Sequence, residues 1–560
     1  MRSAPRLQFL RPFAWKPRVT CNPAYLRFYH AARHQELVKA NALQFPRIRH
    51  DGNPMRIPEF REKYQHMEQG VVANEEVIIR GRAEFVRVAG SKLVFIVVRG
   101  EFEQVQVMLT FRLLEPTGAT SESFKSFSKL VARGDIISVT GKATRTSTGE
   151  LTVVATRMPE ILTPGLVPLP VKLEDEGAQI QRRHVDMLVN RRTVDTLRLR
   201  SYLIKYIRDF FHERSFLEFQ TPILAEASGG ALATPFVTSG EEGSSDKGLS
   251  LRIAPELWLK RLVVGGIDRV FELGPSFRNE GIDQTHNPEF TTCEFYQAYA
   301  NLEDLLKLTE DLVCGAAKHC HDLAMDKLIS LPAIDLAKFR RPFKQMEFIP
   351  SLESALELQL PDLTTDTAFE DVVALLKNKG VPVPEDSPSL TKLLDKLAAT
   401  HVEPHSMQEP VFITNHPVCM SPLSKSFVCP KTGQTVSARA ELFINSKEMA
   451  NMYEEENDPF AQRQKFIDQA KANEEIRGQS LGEEDVHIDE SYVEALESGL
   501  PPTGGWGCGV ERLVMLFSGT RRISDALPFG NLRNVVAVSG LRKPAVVDSK
   551  DVEEPREQAN

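Results

Sequence analysis

The sequence predicts an α+β protein of two folded domains, and three observations lead there. Five short runs rich in Val, Ile and Leu fall between residues 77 and 162. A proline-bearing stretch, TPGLVPLPVKLEDEG at 163–177, follows them. Beyond it helical and strand spacings alternate, most clearly in a strand, polar loop and strand at 269–299. A chain of 560 residues is long enough for two or three cores of ordinary size.

The first element is basic. Residues 1–35 hold seven Lys or Arg (Arg2, Arg6, Arg11, Lys16, Arg18, Arg27 and Arg33) and no Asp or Glu. That composition is that of an organelle transit peptide, and no long apolar run marks a secretory signal. Pro5, Pro12, Pro17 and Pro23 interrupt any continuous helix there. The reading is a mitochondrial transit peptide at 1–35, cleaved near Tyr29–Arg33, which puts the protein in the mitochondrial matrix. The alternative is a basic, RNA-touching arm on a cytoplasmic protein. Residues 36–76 are polar and read as an N-terminal helical extension.

The strand candidates are VIIRGRAEFVRV (77–88), KLVFIVV (92–98), QVQVML (104–109), DIISVTGKA (135–143) and GELTVVATRMPEIL (149–162), with a helix at 121–132. Five strands with a helix between the third and fourth form an OB-fold β-barrel, assigned to 77–165. Residues 166–180 are the linker, and the larger domain spans 181–540. It opens with a helix over 193–214 that carries Leu197, Tyr202, Ile204, Ile207 and Phe211 at near-helical spacing. LEFQTPIL follows as a strand, with Pro222 near its edge. Residues 345–410, richer in Leu, Pro and Asp, read as a helical insertion, and 541–560 as a disordered tail.

Bulk properties narrow the function. The net charge is −8, and without residues 1–35 it is −8 − 7 = −15. An acidic total does not exclude RNA, because a local basic stripe suffices. No apolar run approaches a membrane span, so no membrane insertion is expected. Seven scattered cysteines without a CxxC pair argue against a zinc site or a disulfide framework.

The chemistry concentrates in a few stretches. FRNEG (277–281), HNPEF (286–290) and CEFY (293–296) make up the strand pair. The two-residue period of a strand puts Arg278 and Glu280 on one face, and Phe290, Thr292, Glu294 and Tyr296 on one face of the second strand. A cation, carboxylates and aromatic rings on one surface suit a nucleotide plus a charged small molecule. In ELFINSKEMANMYEEENDP (441–459), Asn451, Tyr453 and Glu455 share a face in the same way. Gly504, Gly505, Gly507 and Gly509 precede a helix start that contains Arg512, and missing side chains let backbone approach a ligand closely.

Taken in order, these stretches resemble the signature motifs of class II aminoacyl-tRNA synthetases, in the form found in lysyl-tRNA synthetases. RSFLEFQTPILAEASGGALATPF (214–236) resembles motif 1, FRNEG to CEFY motif 2, and LPPTGGWGCGVERLVMLF (500–517) motif 3. APEL, within 252–274, FRNEG and NMYEEENDP together point to lysine. The likeness covers residues 55–535.

The resemblance implies a catalytic domain built on an antiparallel sheet flanked by helices, and a homodimer through Thr193–Leu224. With no Walker sequence in the chain, ATP is held by side chains. Arg278 is implied on the α-phosphate and Arg512 on the γ-phosphate, both catalytic, with Glu280, His286, Asn287 and Phe290 around the adenine. Lysine falls to Gly230, Glu256, Glu294, Tyr296, Asn451, Tyr453 and Glu455. Mg²⁺ falls to Glu441 and Glu448, which converge only if Asn445-Ser446-Lys447 forms a turn or bulge. Phe95, Gln106 and Glu150 are implied as anticodon readers for tRNA(Lys). Two positions depart from the pattern. Bacterial relatives carry Arg where this chain has Thr285, and Leu is usual where it has Glu456, which parity turns away from the pocket.

The implied activity is ATP-dependent attachment of lysine to tRNA through a lysyl-adenylate, for mitochondrial translation. Rival readings are an aspartate or asparagine enzyme of the same class, a synthetase-derived RNA-binding protein, and a lysine-transferring paralogue that acts on a protein.

Overall fold

The computed structural model describes residues 23–48, 52–225, 233–238, 248–385, 387–477 and 489–530. The expected tail at 541–560 lies outside the described residues. The chain divides into two compact units between Leu173 and Glu174, inside the expected linker. Among the described residues no helix is long and apolar enough to cross a membrane.

The first unit begins with helices α1 (Pro23–Lys39) and α2 (Ile57–Tyr64). Strands β1 (Val77–Val88), β2 (Leu93–Gly100) and β3 (Glu103–Thr110) form a meander. Helix α3 (Ser121–Leu130) comes next, started by the Thr120 hydroxyl, which accepts from the Ser123 N–H at 3.0 Å. Then come β4 (Ile136–Arg145), β5 (Leu151–Ala155) and β6 (Glu160–Thr163). The order β1-β2-β3-β5-β4 closes through β1–β4 pairing into a five-stranded barrel, the OB-fold. Strand alternation fills it. Val94, Ile96, Val98, Val105, Val107, Leu109, Val139 and Val153 point inward, and Phe124 and Phe127 of α3 pack on the same core. The run 149–162, read as one strand, is two. Arg157, Met158 and Pro159 break the ladder, and the second piece resumes the antiparallel pairing with β4 that the first began.

The boundary expected between residues 35 and 36 falls inside α1. Arg33 of that helix is only 5% exposed and bonds both carboxylate oxygens of Asp135, at 3.0 and 3.2 Å, and the Leu130 carbonyl. Asp135 is fully buried and also accepts from the Ala132 and Gly165 amides. A chain cut after residue 35 loses the cation and leaves a buried carboxylate half-served. Arg33→Ala is expected to destabilise the barrel by about 3 kcal/mol, the usual cost of breaking a buried ion pair. Thermal unfolding of residues 23–173 with and without the substitution measures it. An unchanged melting temperature would mean that the two amides alone satisfy Asp135.

The second unit is built on an eight-stranded sheet. Its strands are β7 (Leu217–Glu218), β8 (Arg269–Phe277), β9 (Glu289–Ala298), β10 (Lys344–Glu347), β11 (Val411–Thr414), β12 (Arg439–Ile444), β13 (Lys447–Glu454) and β14 (Thr503–Gly509). They lie in the order β10-β11-β12-β13-β14-β9-β8-β7. The pairings are antiparallel except for β10–β11 and β8–β7 at the edges. Helices α4 (Arg191–His212), α5 (Glu256–Val264), α6 (Leu302–Asp326), α7 (Phe348–Leu356), α8 (Ala368–Asn378), α9 (Leu390–His401) and α10 (Val510–Ser518) surround it. The region 345–410 is helical, as expected, and packs its own core around Leu352, Leu376, Leu393 and Leu397.

Each strand's parity sorts its residues. Phe271, Cys293, Phe295, Ala440, Leu442, Ala450, Met452, Trp506 and Cys508 face α4, α6 and α10. The buried stripe of α4 is Leu199, Leu203, Ile207, Phe210 and Phe211. Leu197, Tyr202 and Ile204, expected in that stripe, are half-buried beside it. The alternate residues of the central strands face the opposite side of the sheet, where the site lies.

Candidate active site

That opposite side holds a cavity of about 500 Å³. Phe290, Thr292, Glu294 and Tyr296 of β9 line it, as do Asn451 and Tyr453 of β13, Glu441 of β12, and Gly505 and Gly507 of β14. The size suits a small-molecule ligand. Arg278 and Glu280 also line it, but β8 ends at Phe277. They stand in the loop beyond the strand, where strand parity does not apply.

Two arginines face this space. Arg278 has its guanidinium 5.2 Å from the centre of the Phe290 ring, and its Nε makes one long bond, 3.4 Å, to the Ile253 carbonyl. Arg512 sits in the first turn of α10 and donates to the Glu448 carboxylate and carbonyl, both at 3.0 Å, and to His286 Nε2 at 3.3 Å. The acidic neighbour Glu511 does not compete for it. Glu511 is fully buried, paired with Arg200 at 2.8 Å, and accepts from the Thr291 amide. That contact anchors α10 to β9 and α4 and so aims Arg512.

The polar loop is organised by Asp283, which the sequence did not single out. It accepts from the amides of Thr285 and His286, the Thr285 hydroxyl, and His286 Nδ1 at 2.8 Å. Burial works against ionisation there, but these bonds outweigh it and hold Asp283 at about 2. Thr285 thus serves to fix the loop. Asn287 is buried against the cavity with its Oδ1 unpartnered, an acceptor turned to no protein donor.

The β12–β13 hairpin brings Glu441 and Glu448 to the cavity. Asn445 and Ser446 both adopt positive φ, 55° and 54°, and the register slips between Leu442 and Phe443. Turn and bulge together cancel the odd spacing of the two carboxylates. Glu441 accepts from Arg439 and from His416 Nε2 at 3.2 Å. Burial opposes its ionisation, but these two partners hold it at about 2. Asp395 and Glu403 complete an acidic cluster. Burial, reinforced by the neighbouring carboxylates, raises Asp395 and pushes Glu403 to about 7. Excess negative potential of this kind is what a divalent cation neutralises. Among the described residues no three such side chains close around a metal by themselves. The carboxylates of Glu441 and Glu448 fit Mg²⁺, which takes one or two such ligands and fills its shell with water and phosphate oxygens.

The cavity floor is acidic, aromatic and buried. Glu294 is 8% exposed and accepts from the Tyr296 hydroxyl at 3.2 Å. Burial, with Glu256 adding to it and Arg278 opposing, pushes it to about 8. Glu256 accepts from the Tyr453 hydroxyl. Glu455, one residue past β13, is 1% exposed and lies beneath the floor rather than on it, against Gly505 and Tyr296. Lys260 was not anticipated. Its side chain is fully buried and its ammonium pairs with Glu256, at 2.7 Å, and with Glu455. Burial alone would strip its proton, but the two carboxylates hold it well above the ordinary lysine value. Burial pulls Glu455 toward its neutral form, and contact with two carboxylates keeps the charge on Lys260. Glu456 is buried away from the cavity and paired with Lys465 at 2.6 Å. Gly230 lies outside the described residues.

Residues 175–533 match the family model for class II tRNA synthetases (D, K and N), and residues 77–161 that for the OB-fold nucleic acid binding domain. The chain is a class II tRNA synthetase. Similar proteins include the mitochondrial lysine–tRNA ligase of Schizosaccharomyces pombe, 40% identical over 91% of this chain and 95% of the relative. The mitochondrial lysine–tRNA ligase of Saccharomyces cerevisiae is 36% identical over 82% of each chain, and the lysine–tRNA ligase of Helicobacter hepaticus 38% identical over 85% of this chain and 88% of the relative. Within its class the synthetase belongs to the family of these lysine–tRNA ligases.

In the synthetase's first unit, Phe95 and Gln106 share the outer face of the barrel. Phe95 is half-buried, stands outside the core, and has the Arg87 guanidinium 4.7 Å from its ring. Gln106 donates to Thr152 Oγ1 at 2.9 Å, and Glu150 is exposed just before β5.

Proposed function

We propose that the chain attaches lysine to tRNA(Lys) through a lysyl-adenylate, in the mitochondrial matrix. The observation that carries lysine is the buried floor, where the carboxylates of Glu256 and Glu294 meet two tyrosine hydroxyls, with Glu455 directly beneath. An ammonium leaves water only for such partners. An aspartate or asparagine enzyme needs a cation that faces the substrate. Lys260, beneath the floor, has no exposure and serves two carboxylates, and Arg439, which lines the cavity, is engaged by Asn451, Glu441 and the Met420 carbonyl.

The lysine carboxylate attacks the α-phosphorus of ATP and pyrophosphate leaves. The attacking group is already ionised, so no protein nucleophile is required. Arg278 takes the α-phosphate and Arg512 the γ-phosphate, with Phe290 stacked on the adenine and Glu280, His286 and Asn287 at its edge. Glu441 and Glu448 would hold Mg²⁺, which would supply charge neutralisation to the polyphosphate. Catalysis is positioning plus electrostatics. A terminal tRNA hydroxyl then attacks the adenylate carbonyl. Charging of tRNA(Lys) against tRNA(Asp) and tRNA(Asn) by the purified chain tests this. Preference for either of the latter would overturn it.

The outer face of the barrel reads the anticodon through Phe95, Gln106 and Glu150. With Phe95 outside the core, Phe95→Ala is expected to keep the fold. It should lower tRNA charging roughly 5- to 150-fold, the worth of one stacked base, and leave pyrophosphate exchange nearly unchanged. Wild-type charging by the folded variant would remove that ring from recognition.

A homodimer is supported by exposed apolar side chains in the segment read as its interface, Leu217, Ile223 and Leu224. Sedimentation of the active protein tests it, and an active monomer would refute it. The matrix location is supported by the acid-free, basic N-terminus and by the two mitochondrial relatives. A fluorescent fusion of residues 1–40 that stays cytosolic would refute it.

A further inference from the structure

Two carboxylates, Glu256 and Glu294, lie on the cavity floor and a third, Glu455, beneath it, with the buried cation Lys260 among them. Lys260 reaches them from α5, one helical turn after Glu256. Its ammonium touches Glu256 and Glu455 and lies 5.8 Å from the ring centres of Tyr296, Tyr453 and Tyr492 alike. It does not line the cavity. The Glu455 Oε2 atom forms an ion pair with Lys260, and Oε1 lies on the side of Gly505 and Tyr296. One oxygen of that carboxylate is thus tied from behind, and the other is turned to Gly505 and Tyr296, which line the cavity.

We propose that Lys260 is a positioning residue that sets the charge of the amino-acid pocket, so that its carboxylates match the two ammonium groups of a diamino acid and no more. This rests on the lysine reading above. The charges balance. Glu256, Glu294 and Glu455 fully ionised carry three negative charges and Lys260 one positive. Two remain for the α- and ε-ammonium groups of the substrate. In the empty pocket burial pushes Glu294 and Glu455 toward their neutral forms, which lessens the uncompensated charge until a substrate ammonium arrives. The groups packed about Lys260 are Glu256 on its own helix, Tyr296 on β9, Tyr453 and Glu455 on and after β13, and Tyr492 on the helix Glu490–Glu497, with Glu294 next to Tyr296 and Glu256. Arg278 is the other cation that acts on Glu294.

Without Lys260 the pair Glu256/Glu455 shares a proton, since two buried carboxylates in one site do not both ionise. That proton restores the count of charges but occupies an acid that an ammonium needs, so lysine must expel it to make both contacts and then leaves one negative charge unmatched. The test is lysine-dependent ATP–pyrophosphate exchange by wild type and Lys260→Met between about pH 6 and 8, with lysine and ATP constants measured separately. The expected result is a lysine KM raised by about two orders of magnitude at the acid end, with the ATP KM within about twofold. The variant-to-wild-type ratio of lysine KM should fall by about tenfold per unit of rising pH, one proton's linkage. Merely filling space predicts a ratio that does not move with pH, and a flat ratio overturns the proposal. If Lys260→Met does not fold, Lys260→Gln carries the same measurement. Failure of both to fold assigns Lys260 to the fold alone and overturns it too. A wild type without lysine-dependent exchange would instead bring down the lysine reading itself.

Discussion

Arg278→Ala is expected to abolish measurable adenylate formation while the protein stays folded. Among the described residues, the only hydrogen bond that its guanidinium makes to the protein is the 3.4 Å contact with the Ile253 carbonyl, so little structure depends on it. What it loses is a charge-assisted contact aimed where phosphate charge develops. Removing one such preorganised donor costs roughly 10²- to 10³-fold in kcat. Phe290 also loses the cation above its ring, which weakens ATP binding. Pyrophosphate exchange by the purified variant, with circular dichroism as the control for folding, measures both. Near-normal exchange would remove Arg278 from the reaction.

Gly505→Ala is expected to destroy lysine use and spare ATP. A Cβ there would overlap the Glu455 carboxylate and lie 2.7 Å from the Tyr296 ring. An exposed glutamate would step aside. Glu455 is buried and tied to Lys260, and Tyr296 is 3% exposed, so neither has room. The added methyl therefore fills the space of the substrate ammonium or breaks the ion pair. Disrupting a buried charged contact costs about 2–5 kcal/mol, roughly 30-fold or more in lysine KM. The ATP constant should move little, because Arg278, Phe290 and Arg512 lie elsewhere in the cavity. A variant that uses lysine normally would show that the amino acid sits away from Gly505.

Much of this site was legible because strands have a fixed period. Phe290, Thr292, Glu294 and Tyr296 were grouped by parity and do share the cavity face of β9. The turn demanded of Asn445-Ser446-Lys447 exists, with the two residues most tolerant of positive φ at its tip. Parity failed where the strand stopped, as at Arg278 and Glu280. It failed again at 149–162, where Arg157-Met158-Pro159 splits one apparent strand in two.

Lys260 shows the harder limit. Glu256 and Lys260 are four apart on a helix, the usual spacing of a solvated surface pair. A signal was present, because the pair sits within the apolar run ELWLKRLVV. What buries it is nonlocal: β9, the end of β13 and the helix Glu490–Glu497 close over it from far along the chain. Arg33 is similar. Its composition suited a leader, and its partner Asp135 lies 102 residues away.

Amino-acid-dependent ATP–pyrophosphate exchange, run with each of the standard amino acids on the purified chain, tests the central claim most directly. The account predicts strong exchange with lysine and background with aspartate, asparagine and arginine. Exchange that prefers aspartate or asparagine, or none with any amino acid, would contradict it.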